Sequence, residues 1–186
     1  MRHRLPLALL LGLSLVACSR REDPCVDSTA AAPVDATLLA FLSRARAAHH
    51  LADQAEAARD LARAVQSLAA VTDGPLPPGT PTAAPEVREV LADTLARLAD
   101  LTSQLGDFEA AERHLERGLL LVPTPTYFRG HLFEVRGLVE ERNATRLEQR
   151  GEAAQAAQAK ARALEALEAA MKIQAEVIEK SAPSKP

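Results

Sequence analysis

The sequence predicts an all-α fold over residues 37–180, built as about three antiparallel helical hairpins, six helices in all. Three observations carry that prediction. Aromatics are scarce, with four Phe, one Tyr and no Trp, so a core must be made from Ala and Leu, which suits closely packed helices and suits β-sandwiches badly. Long stretches of strong helix formers run without Pro or Gly. Sharp breakers separate those stretches at spacings that fit helices rather than strands.

The elements follow in chain order. Residues 37–71, "TLLAFLSRARAAHHLADQAEAARDLARAVQSLAAV", hold neither Pro nor Gly. A break is expected near Leu51–Asp53, with Asp53 capping a second helix. "TDGPLPPGTPTAAP", residues 72–85, has five prolines and two glycines and reads as a surface loop. A helix from Glu86 ends at Gly106, the residue type that tolerates the left-handed conformation past a helix end. Asp107 is placed to cap the next helix, with Glu109 near its positive end, and that helix stops at "VPTP". A further helix spans roughly Thr126–Gln149, and after Gly151 the last one runs to about Lys180. Residues 181–186, "SAPSKP", are expected to be a disordered tail.

The N-terminus has a different character. "MRHR" is followed by thirteen uncharged residues, Leu5–Ala17. That run is too short for a bilayer core, which needs about 20 helical residues, and fits a secretory leader. Its end, Leu15-Val16-Ala17-Cys18, resembles the lipobox of bacterial lipoproteins. The resemblance implies removal of residues 1–17, lipidation of Cys18, and a membrane anchor made of lipid alone. Several acyl chains on one residue would hold stably where a single chain would not. Ser19, in place of Asp, points within that family to the outer membrane, the domain facing the periplasm. Residues 18–36 read as a lipidated flexible tether with a reach of roughly 20–25 Å. With Cys18 modified, Cys25 is alone and no intrachain disulfide is available.

Without residues 1–17 the chain keeps 20 basic and 25 acidic residues, a net of −5, which argues against nucleic acid or anionic lipid as the main partner. His49 and His50 are adjacent on a helix and point apart, so they make no metal clamp. No phosphate-cradling loop, nucleophile elbow or Cys/His cluster is present. The sequence therefore calls for no enzyme activity, metal or cofactor. Asn143-Ala144-Thr145 matches a glycosylation acceptor but falls inside an expected helix.

Residues 92–125 form a unit of 34. It reads Leu95-x2-Leu98-Ala99-x2-Thr102, turns at Gly106, then continues Ala111-x3-Leu115-x2-Gly118-x4-Pro123. This resembles a tetratricopeptide repeat, with Leu for the signature Trp and Thr for the signature Tyr. The resemblance implies that Ala99 and Ala111 sit where two helices cross, that Leu95, Leu98 and Leu115 fill the seam, and that Pro123 closes the unit. Weaker copies are aligned at Phe41-x2-Arg44-Ala45-x2-Ala48 with Ala57-x3-Leu61-x2-Ala64, and at Ala163-x3-Leu167-x2-Ala170. On that alignment Ala57, Ala111 and Ala163 are equivalent, and the hairpins stack as a short right-handed solenoid.

Members of that family commonly hold a peptide or partner helix in the groove formed by the first helix of each hairpin. Resemblance and helical spacing put Arg46, His49, Asp93, Asp100, His131 and Glu134 there, with Arg129 beside them. These last three lie on "YFRGHLFEVRGLVEER", residues 127–142, whose Phe128, Leu132, Val135 and Val139 form an apolar stripe facing the core. The expected function is a non-enzymatic, membrane-anchored adaptor or assembly factor binding an envelope protein or peptide. The alternative is a periplasmic carrier of a lipid, glycan or peptide. Self-association, through the Ala-rich last helix or Cys25, is a further role the pattern allows.

Overall fold

The computed structural model describes residues 35–78 and 84–182. The leader, Cys18, Cys25, the tether up to residue 34 and the final residues 183–186 lie outside the described residues. Among those described, every regular element is a helix: α1 (Ala36–Ala57), α2 (Leu61–Thr72), α3 (Pro85–Gln104), α4 (Phe108–Leu121), α5 (Tyr127–Gln149) and α6 (Ala153–Ser181). They pair as three antiparallel hairpins, α1–α2, α3–α4 and α5–α6, stacked in order as a short helical solenoid.

Caps explain the boundaries. Asp35 accepts from the backbone N–H groups of Thr37 and Leu38, at 2.8 and 3.3 Å, to start α1. Those two hydrogen bonds hold its carboxyl below the ordinary value. Asp60, Asp107 and Thr126 do the same for α2, α4 and α5. Pro85 occupies the first position of α3, where its missing N–H costs nothing.

The break expected at Leu51–Asp53 does not occur. Nothing in "HHLADQ" stops a helix, and α1 runs through it to Ala57. The chain turns instead at Ala58-Arg59-Asp60, and Arg59 adopts φ 61°. All three hairpins turn in the same way. Arg59, Gly106 and Gly151 take positive φ, and the following residue donates back to the helix: Asp60 to Ala55, Asp107 to Thr102, Glu152 to Leu147, at 2.8–3.0 Å.

These turns fix the repeat register. The C-caps Ala58, Leu105 and Arg150 stand 47 and 45 residues apart. Applied to the crossings, this makes Ala52, Ala99 and Ala144 equivalent on the first helices, and Ala64, Ala111 and Ala156 on the second. All six are fully buried. Ala57 is exposed and Ala163 lies further along α6, so the equivalence of Ala57, Ala111 and Ala163 is corrected by seven residues at each end. Within one helix a shift of seven keeps a side chain on the same face, so Ala45 could stand for Ala52 in α1 and Ala163 for Ala156 in α6, each of them buried; Ala57 was matched only because the turn was placed too early.

Each hairpin's groove is filled by the first helix of the next. Leu95, Leu98 and Leu101 of α3 pack on Ala52, Ala55, Ala64 and Leu68. Leu132, Val135 and Val139 of α5 pack on Ala92, Ala96, Ala99, Ala111 and Leu115, with Phe128 against them. The third hairpin closes by close approach: a Cβ on Gly137 would lie 2.6 Å from Leu167 Cγ and 3.3 Å from the Ala163 carbonyl. The alanines of α6, Ala156, Ala159, Ala163, Ala166 and Ala170, are the buried stripe of that helix.

Candidate functional site

The first helices α1, α3 and α5 form one row, and Arg residues bolt them together. Arg97 of α3 reaches back to α1, pairing with Asp53 at 2.5 Å and with Glu56. Arg142 of α5 reaches back to α3, pairing with Asp100 at 3.0 Å and with the Ser103 hydroxyl. By the turn register Arg97 and Arg142 are equivalent, as are Asp53 and Asp100, and Glu56 and Ser103. One contact is therefore built twice. Burial works against the charge of Arg97, but the hydrogen bonds to Glu56 and Asp53 outweigh it and raise its pKa.

His49 belongs to the same row. The Thr94 hydroxyl donates to the Val90 carbonyl at 2.7 Å, which leaves its oxygen to accept from His49 Nε2–H at 2.9 Å. Nδ1 is then the lone-pair nitrogen, facing Arg97 at 3.5 Å. Burial, partly opposed by the charge of Asp93, pushes the His49 pKa down. His50 turns away, to Gln54 on its own helix at 3.0 Å.

The row thus gathers four of the expected residues: Arg46, His49, Asp93 and Asp100. Arg46 is exposed and Asp93 half-exposed. Four residues before His50, Arg97 and Arg142, the equivalent positions carry Arg46, Asp93 and Leu138. One line along the face therefore presents a cation, an anion and an apolar side chain, one per hairpin.

The other three sit at the start of α5. His131 Nδ1 meets Glu134 at 3.3 Å and its ring stacks on exposed Tyr127. Arg129 turns to the end of α4, donating to the carbonyls of Val122 at 3.1 Å and Leu119 at 3.4 Å, and lies over the Phe133 ring. It ties off the α4–α5 turn, where four helix carbonyls lack partners of their own. Glu140 and Glu148 pair across to Arg162 and Lys160 of α6.

Sequence reasoning passed over Arg97 and Arg142. The signal that finds them is equivalence: the same residue type recurs 45 positions on, each with acids or hydroxyls at equivalent places one hairpin back. Beyond the row, an open groove of about 720 Å³ runs between α5 and α6, lined by Leu138, Arg142, Thr145, Ala163, Leu164 and Leu167 among others.

Fold and face together define a short helical-repeat protein of three hairpins. No protein-family model matches the chain, and no curated protein and no solved structure matches it.

Proposed function

We propose that this chain is a tetratricopeptide-type lipoprotein of the bacterial envelope, anchored through Cys18, that holds a protein partner against its first-helix face. The observation that carries the reading is the line Arg46, Asp93, Leu138 beside the doubled Arg ladder. Arg97 and Arg142 spend their charges on neighbouring helices, so they set the spacing of the face rather than recognise a ligand. The adjoining line differs at each hairpin, and such a line reads an extended segment by its sequence. The partner segment has an acid opposite Arg46, a base opposite Asp93 and an apolar residue opposite Leu138. Peptide recognition by a row of dissimilar pockets on a rigid scaffold obtains specificity in this way.

The anchor has its own support in the residues before Cys18; among the described residues no helix is long and apolar enough to cross a membrane. The test has two arms. Cys18→Ala is expected to release folded protein from the membrane fraction; retention there contradicts the anchor. Arg46→Glu with Asp93→Lys is expected to abolish recovery of the envelope protein that crosslinks to the wild-type chain in host cells. Undiminished recovery contradicts the assignment of the face.

A further inference from the structure

The last helix is larger than its hairpin needs. α6 has 29 residues where the second helices α2 and α4 have 12 and 14. Gly137 of α5 lies against Ala163 and Leu167, and Gly130 against Ala170, Ile173 and Gln174. From that antiparallel register, α6 continues past the start of α5 by roughly one and a half turns. Among the described residues α6 contacts no helix but α5, so the overhang is helical with no described helix beside it.

The buried alanine stripe of α6 is already used by α5. Far round the helix lies a second apolar line. Leu164, Met171 and Ile178 are 59%, 63% and 70% exposed, and they recur every seven residues. Ala157 and Ala161 precede them on the same line, Glu168 and Ala175 stand between them, and all four are exposed as well. The steps along this line alternate four and three, which is the seam of a two-stranded coiled coil, with Glu168 as its one charged member. Earlier in the molecule this edge is covered. Leu119, equivalent to Leu164, packs on the core that α5 completes, and Leu115, equivalent to exposed Lys160, is fully buried there. After α6 no further first helix follows among the described residues.

We propose that the occupant of this seam is α6 of a second copy, packed antiparallel about a twofold axis between residues 168 and 171. In that register Leu164 packs on the partner's Ala175 and Ile178 on the partner's Ala161, large against small, while Met171 lies along the stem of the partner's Glu168. Lys172 lies level with the partner's Glu165 and the partner's Glu168, and symmetry makes each contact twice. The buried acid is thereby neutralised. A parallel pairing would instead set Glu165, Glu168 and Lys172 each against its own copy, stacking like charges. Charge complementarity selects the antiparallel arrangement.

The test is sedimentation velocity of the full chain in reducing buffer with a density-matched detergent, across a concentration series. The wild-type chain is expected to dimerise. Leu164→Glu and Met171→Glu are expected to weaken the dimer at least tenfold with an unchanged helical circular-dichroism spectrum, because both side chains are exposed within one chain. Lys172→Glu is expected to weaken it too, and adding Glu165→Lys with Glu168→Lys to restore it. A wild-type monomer throughout, a dimer indifferent to Met171→Glu, or a charge swap that fails to restore pairing overturns the proposal. Binding of an unrelated helix on the same seam of a wild-type monomer overturns it equally, by assigning the seam to another occupant.

Discussion

At the scale of single residues, Arg59 and His49 carry the clearest consequences. Arg59 occupies the left-handed turn position that Gly106 and Gly151 fill in the other hairpins. A side chain there costs about 1 kcal/mol. Arg59→Gly is therefore expected to stabilise the protein by about that much and raise Tm by about 2–4 °C; an unchanged or lower Tm contradicts the turn assignment. His49 is half-buried and its pKa is lowered chiefly by burial, as is that of His114. The unfolded chain then takes up protons that the folded chain refuses. Stability from these two groups is complete above the unfolded value of 6.5 and is lost as pH falls through it, levelling once the folded groups protonate. Thermal unfolding is expected to shift downward between about pH 7 and pH 5, and His49→Gln to flatten part of that slope. A steeper slope in His49→Gln contradicts the burial argument.

At the scale of elements, the fold rests on small residues where helices cross. Ala99 and Ala111 are fully buried, and an added side chain has nowhere to go. Ala99→Leu is expected to cost about 1–3 kcal/mol. Gly137→Ala is the sharper case. In an exposed helix that change gains up to about 1 kcal/mol, but here the new methyl meets Leu167 and the Ala163 carbonyl. A net loss in chemical denaturation is expected; a gain shows that α5 and α6 have room to part. The ladder is worth less, because its charges keep part of their hydration, Asp53 most of all: Arg97→Met is expected to cost about 1 kcal/mol or less.

Much of this level was readable in the sequence. Gly106, Gly151, Asp107 and the prolines of residues 75–85 punctuate the chain strongly enough to give α3 to α6 nearly to the residue, while the boundary between α1 and α2 was misplaced at Asp53. The apolar stripe of Leu132, Val135 and Val139 followed from spacing alone. What failed was the register of the outer hairpins. Alanine recurs so often that a seven-residue slip places another Ala on the same face. The first turn, made by Arg59 with no glycine, offered nothing to anchor the alignment. The Arg ladder stayed hidden for the same cause, since Arg97 and Arg142 become a pair only once the turns are superposed. The alanine face of α6, open to a second copy on sequence grounds, is buried within its own hairpin, and the free line of Leu164, Met171 and Ile178 lies elsewhere on the helix.

At the scale of the whole molecule, the middle hairpin bears both interfaces. α3 closes the groove of the first hairpin and forms the floor of the second, and it buries more of its residues than any other helix described. In a stacked-repeat architecture stability propagates between neighbours. Hydrogen exchange is accordingly expected to be slowest over residues 91–102 and fastest in the first turn of α1 and the overhang of α6; uniform protection contradicts this ordering. Under the proposed function, the same rigidity lets a fixed line of Arg46, Asp93 and Leu138 serve as a reading face. The central claim is that this line contacts a partner. Its most direct test is a photo-crosslinking amino acid placed in turn at positions 46, 93 and 138, in the full chain in host cells. One envelope protein captured from all three positions, and lost when the other two carry Arg46→Glu or Asp93→Lys, is the expected result. Capture from none of them, while the same residue placed at an exposed α2 position captures that protein, would contradict it.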